Sequence, residues 1–328
     1  MIWLQFIACV VILLVAGERL AKFSHILSVR TKLGGLWIGI VFVATITSIP
    51  ETVAAASAAG LFHNADLALS TLYGGNTFNL AMVAVMDIFY AKRPLLKMVS
   101  RRQIKLLFSG LLLLAVSGAA IILRPPAGFM LGPVGIFSLV MLLLYLVMLY
   151  QQQKSAQPDE PDGHDYLEYT MKSLSLRLAG AAAAVVVAGI WLSYVGERIA
   201  TETTLTSSFT GSLFLGISTS APEMIVSLAA LRIGAIEMAV ANLVGSVMYR
   251  SAVIILPDLF YSDGPILSAV SSNNLIIIAA ALIMSILVIA GIRWPGKRKS
   301  FYVASWYAPL ILAVYFGSFY LLLAGNSG

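Results

Sequence analysis

The sequence predicts an all-α polytopic membrane protein of ten transmembrane helices in two inverted five-helix repeats. Three observations predict it. Hydrophobic residues make up 59% of the 328-residue chain and charged residues 11%, with mean hydropathy +0.92, which is too little polar surface for a water-solvated domain of this length. Apolar runs recur at the length a bilayer demands, about 20 residues for each helical crossing. One motif occurs twice, once on each side of a polar linker.

In chain order the expected spans lie near 2–18, 34–61, 66–90, 104–123, 129–150, 173–195, 208–232, 236–257, 270–291 and 303–324. The first run, Ile2–Ala16, has no basic segment in front of it and is followed by Arg19 and Lys22, so it reads as a retained helix rather than a cleaved leader. Several spans exceed the crossing length, and tilt or a break is expected in them. Of the 21 lysines and arginines, all but Arg124, Arg198 and Arg250 fall in one set of loops, which the positive-inside rule assigns to the cytoplasm. Both termini then face outward, and the expected location is a prokaryotic plasma (inner) membrane.

The long polar stretch, residues 151–172, carries Gln151, Gln152, Gln153, two prolines and acidic residues from Asp159 to Glu168. It reads as a flexible cytoplasmic linker. It divides a first five-helix repeat, 1–150, from a second, 173–328. An odd number of spans in each half inverts the second relative to the first.

Several function classes are excluded. The only cysteine is Cys9, so no disulfide framework or thiolate metal site forms within one chain. None of His25, His63 and His164 lies in the middle of an apolar run, which argues against a zinc or haem enzyme. There is no H-E-x-x-H, no Ser/His pair within a span and no phosphate loop, so neither an enzyme nor a cofactor is expected. The net charge of +6 reads as loop charge beside lipid rather than as a nucleic-acid surface. The sequence carries no mark of an oligomeric state.

The repeated motif carries the chemistry. Gly39–Glu51 reads GIVFVATITSIPE and Gly211–Glu223 reads GSLFLGISTSAPE, identical at Gly39/Gly211, Phe42/Phe214, Thr47/Thr219, Ser48/Ser220, Pro50/Pro222 and Glu51/Glu223. A second block follows in each half, ALSTLYGGNTFN over 68–79 and AVANLVGSVMYR over 239–250. Glu51 and Glu223 fall deep within spans, whereas Asp87, Glu237 and Asp258 fall near span ends with water in reach. A carboxylate at mid-membrane costs about 2.5–3.5 kcal/mol or more, and two at matched positions point to function rather than packing.

Their neighbours suit a hard cation, which takes carboxylate, hydroxyl and carbonyl oxygens. Thr47 lies four residues before Glu51, hence on the same helical face, with Ser48 beside it. Thr219 and Ser220 repeat the set before Glu223. A proline ahead of each acid frees backbone carbonyls to add ligands. Inverted repeats of this kind place a substrate site at the midplane on interrupted helices. One divalent ion, or a few monovalent ions or protons in its place, is the simplest basis of an antiporter.

These blocks resemble the alpha repeats of the cation/calcium exchanger superfamily, closest to its prokaryotic sodium/calcium exchanger branch. The family pattern is roughly G-T-S-x-P-E on one helix and G-S-N-x-x-N or G-S-N-x-x-D on the next. The resemblance implies the sodium/calcium exchanger fold and secondary active antiport by alternating access, with transported Ca²⁺ and/or Na⁺ as partners alongside the lipid bilayer. It implies that Glu51 and Glu223 are the central cation ligands and that Thr47, Ser48, Thr219 and Ser220 supply hydroxyls and carbonyls to flanking sodium sites. It also implies backbone carbonyls from Ala44 and Gly216, and side-chain oxygens from Asn79 and Ser246, the serine that the second block retains.

The sequence departs from the pattern in places. Ile46 and Ser218 replace the glycine before each Thr-Ser, Gly75 replaces the first-repeat serine, and Val247 replaces the second-repeat asparagine. Arg250 stands where an acidic or amide residue is usual. Arginine stays charged at any relevant pH, and so deep in a span it is expected to pair with Glu51 or Glu223 rather than to snorkel. Such pairing modifies the site. It leaves open Ca²⁺ exchange for fewer Na⁺, a monovalent cation as substrate, or an organic or anionic solute bound by the guanidinium. A non-transporting membrane scaffold with the same fold is a further alternative.

Overall fold

The computed structural model of the chain describes residues 2–90, 93–126, 129–154, 169–202, 219–296, 299 and 304–325. Helices dominate them: α1 (Ile2–Thr31), α2 (Gly35–Gly60), α3 (Ala65–Phe89), α4 (Arg102–Leu123), α5 (Ile136–Lys154), α6 (Met171–Glu202), α7 (Ala221–Arg232), α8 (Ile236–Phe260), α9 (Asn273–Arg293) and α10 (Tyr307–Gly325). Among the described residues seven of these, α1, α2, α4, α5, α6, α8 and α9, are long and apolar enough to cross a membrane. Helices also stand at the other three expected positions, with α7 described only from Ala221 onward. Residues 155–168 of the expected linker, and Gly216 of the second motif, lie outside the described residues.

The differences from the expected spans have physical causes. The first helix runs on to Thr31, so Arg19, Lys22 and Arg30 sit on helix rather than in a loop. The apolar ruler stops at the first charges, but the helix continues because Leu20, Ala21, Phe23, Ser24, Ile26 and Ser28 keep one stripe buried. The expected span at 129–150 begins late, at Ile136, because a small hairpin pairs Met130–Leu131 with Val134–Gly135. Gly132 supplies its turn with φ +63, which side-chain-bearing residues rarely adopt. The expected irregularities fall in α2 and α8. Residues Gly39–Val43 of α2 form a π turn, and α8 is interrupted at Ile254.

The chain divides into two compact units, Met1–Pro50 with Leu149–Ser246, and Glu51–Met148 with Val247–Gly328. In the first unit α1 packs along α6 and against α7. Glycines set its closest approaches. A Cβ on Gly17 would lie 2.8 Å from Ile225, and one on Gly39 would lie 2.8 Å from Ala241 and 3.0 Å from the Met238 carbonyl. On α6, a Cβ at Gly189 would stand 2.6 Å from Pro50 and 3.0 Å from Pro222, so one bare position receives both motif prolines.

In the second unit α9 packs on α3, α4 and α10. Two buried aspartates hold its corners. Asp87 accepts hydrogen bonds from the amides of Leu95 (2.7 Å) and Ser305 (2.7 Å), and from the hydroxyls of Ser305 (2.9 Å) and Tyr307 (2.6 Å). Asp258 accepts from the amides of Ile266 (2.8 Å) and Gly135 (2.8 Å). Both carboxylates are fully buried, which corrects the expectation that they reach water. Donated N–H and O–H groups replace hydration, as a buried charge requires.

These two corners are repeat-related. Residues 87–96 read DIFYAKRPLL and 258–267 read DLFYSDGPIL, identical at Asp87/Asp258, Phe89/Phe260, Tyr90/Tyr261, Pro94/Pro265 and Leu96/Leu267. In each, the aspartate bonds the amide eight residues on, just after the proline. This third repeated block extends the two motif blocks described above.

Candidate functional site

In the first unit the motif residues form one hydrogen-bonded group. Ser48, on α2 just before Pro50, donates to Glu223 Oε1 at 2.8 Å. Glu223 sits in the first turn of α7, which starts with Pro222 near its N-terminus and with Ser220 as its N-cap. Asn242, on α8, draws the rest together. Its amide donates to Ser227 Oγ at 2.8 Å and to the Glu223 carbonyl at 3.4 Å, and its Oδ1 accepts from Thr47 Oγ1 at 3.2 Å. Thr47 also lies 3.0 Å and 3.3 Å from the carbonyls of Val43 and Ala44. Ser246 donates to the Ala44 carbonyl at 3.5 Å. Thr47, Ser48, Ser220, Glu223, Ser227, Asn242 and Ser246 are all buried, and Thr219 is half-buried.

The sequence singles out most of this group but not Asn242 and Ser227. Their spacing carried the signal. Ser227 lies four residues after Glu223, and Asn242 four before Ser246, each one turn away on the same helical face. The glycine beside them has a structural role. A Cβ on Gly245 would sit 3.0 Å from Ile40 Cα and 3.2 Å from the Ala44 side chain, so its absence lets α8 lie close to α2 in this unit.

The second unit contains the other acid. Glu51, on α2 immediately after Pro50, forms an ion pair with Arg250 through Oε2 and Nε. Both side chains are fully buried, so Arg250 does not snorkel, and Glu51, one of the two expected partners, pairs with it. Gly75 on α3 borders the pair. A Cβ there would lie 2.8 Å from Glu51 Oε2, 2.9 Å from Arg250 Cζ and 3.0 Å from its Nη1. Asn76 follows it and donates to Ser251 Oγ at 3.5 Å, while Ser251 donates to the Val247 carbonyl at 2.9 Å. Asn79, the repeat counterpart of Arg250, is fully buried on α3.

The chemistry on offer is therefore oxygen chemistry. Buried carboxylates, hydroxyls and amide oxygens gather on helices that carry a proline inside or at their start, with no thiolate or imidazole among these residues. The profile of the family described as sodium/calcium exchanger protein matches residues 1–152 and 174–324. The chain belongs to that family. It is an integral membrane protein of a cation-exchanging family, and a transporter rather than an enzyme.

Individual relatives agree. The chain is 26% identical over 293 residues to the inner membrane protein YrbG of Escherichia coli (strain K12), covering 86% of this chain and 87% of that one. Its fold is that of the sodium-calcium exchanger NCX_Mj. The form soaked with Na⁺ and Sr²⁺ superposes with TM-score 0.73 at 18% identity, over 96% of each chain. A form soaked with Na⁺ and no Ca²⁺ gives 0.73 at 20% identity, over 97% of this chain and 98% of that one. The family match covers both repeats and leaves out most of the polar stretch between them.

Proposed function

We propose that the chain is a secondary active cation antiporter that works by alternating access, with Glu51 and Glu223 as the carboxylates that carry the transported cation. The observation that supports this most is the burial of both acids at matched repeat positions within a sodium/calcium exchanger family member. A carboxylate is kept in such a place only for a strong reason. Thr47, Ser48, Thr219, Ser220 and Ser246, with the carbonyls of Ala44 and Gly216 and the amide of Asn79, complete the proposed ligand set. Na⁺ and Ca²⁺ are the expected ions, and Arg250 modifies how many charges move.

The repeats 1–150 and 173–328 with a linker at 151–172 form the proposed organisation. The basic residues support a cytoplasmic linker and termini on the outside. A relative described as an inner membrane protein supports the same location here.

Counterflow in proteoliposomes tests the reading. With an outward Na⁺ gradient, uptake of radioactive sodium or calcium should exceed that of protein-free vesicles and collapse when the gradient is dissipated. Uptake of neither ion above the protein-free level would overturn it.

A further inference from the structure

We propose that Arg250 is a resident cation, holding the place of one positive charge that transported ions would otherwise supply, so that the chain selects monovalent cations over Ca²⁺. The proposal rests on the reading of Glu51 and Glu223 as cation carriers and deepens it to a substrate class. It stands on three observations. Arg250 is fully buried and ion-paired with a motif acid that is itself fully buried. The space for its head is vacated by Gly75, since a Cβ there would meet Glu51 Oε2, Arg250 Cζ and Arg250 Nη1 at 3.0 Å or less. In the other repeat the counterpart of Gly75 is Ser246, which keeps its side chain and uses it on the Ala44 carbonyl. The side chain is missing only in the repeat that borders the guanidinium.

The glycine and the arginine are thus one change in two places. A guanidinium does not lose its proton in a protein, and a buried one stays paired. The two matched acids bring a formal charge of −2, and Arg250, paired with Glu51, returns +1, which leaves −1 over the three side chains. One monovalent ion balances that charge. Ca²⁺ overshoots it by one, and Ca²⁺ also draws on several carboxylate oxygens, of which Glu51 Oε2 already faces the guanidinium.

Titration calorimetry of the purified full-length protein with NaCl and with CaCl₂ tests this. Wild type should bind Na⁺ and show weak or no Ca²⁺ binding, while Arg250→Asn should gain Ca²⁺ affinity. The gain should be about tenfold or more, because removing a full charge beside a dication in a poorly screened interior exceeds what one decade of affinity represents. Arg250→Lys, which keeps the charge, should keep the wild-type preference. Gly75→Ala should perturb binding in the wild-type background and leave Arg250→Asn nearly unchanged, because the added methyl then meets no guanidinium. Equal Ca²⁺ affinity in wild type and Arg250→Asn would overturn the inference and leave the exchanger reading standing. So would a Gly75→Ala effect of the same size in both backgrounds. Binding of neither ion to either form would overturn the exchanger reading itself.

Discussion

A single side chain decides much of the chemistry here. Arg250 is legible in the sequence as an oddity, a permanent cation in the middle of an apolar run, and burial is the reason to expect a carboxylate beside it. Which carboxylate was not legible, because Glu51 and Glu223 are equivalent in the linear pattern. The bare edge of Gly75 against Glu51 and the guanidinium shows why that pair fits. Removing the partner is expected to be costly. Glu51→Ala should destabilise the protein by about 3–5 kcal/mol, the usual penalty for a buried charge stripped of its partner. The paired change Glu51→Ala with Arg250→Ala should recover most of that loss in thermal unfolding in detergent. Equal stability of the single and double variants would show that the ion pair contributes little.

At the scale of elements, the helices were legible wherever an apolar run matched the bilayer. They were less so where another rule took over. Hydropathy ended the first span at its charges, but a buried stripe carries α1 on to Thr31. The corners were not legible from hydropathy at all, because an aspartate near a span end looks solvated. Asp87 and Asp258 are instead enclosed by the amides they cap, and the repeat DxFYxxxPxL is the signal that marks them. Asparagine at either place presents an N–H₂ to groups that already donate. Asp87→Asn is therefore expected to cost about 2 kcal/mol or more of stability, from charge-assisted hydrogen bonds lost in the interior. Asp258→Asn should cost less, since Asp87 accepts from two hydroxyls as well as two amides. A larger loss for Asp258→Asn would contradict this ordering. Gly189→Ala probes the motif prolines in the same way. Its methyl would stand 2.6 Å from Pro50, and overpacking of this kind costs about 1–3 kcal/mol. Unchanged thermal stability would mean that α6 yields more easily than its contacts suggest.

For the whole molecule, composition and the twice-written motif carry the fold class, and the family match over both repeats agrees with it. Orientation rests on the basic loops alone. With buried Cys9 replaced, a cysteine at Ser327 should react with a membrane-impermeant maleimide in intact cells, and one at Ser155 only after permeabilisation. The reverse pattern would invert the topology. The central claim is that transport runs through the two matched acids, so the most direct measurement is gradient-driven uptake of radioactive sodium and calcium into proteoliposomes holding wild type, Glu51→Gln or Glu223→Gln. Each variant is to be shown folded by its thermal transition. Sodium uptake should be present in wild type and abolished in both variants, and full turnover in either one would contradict the account.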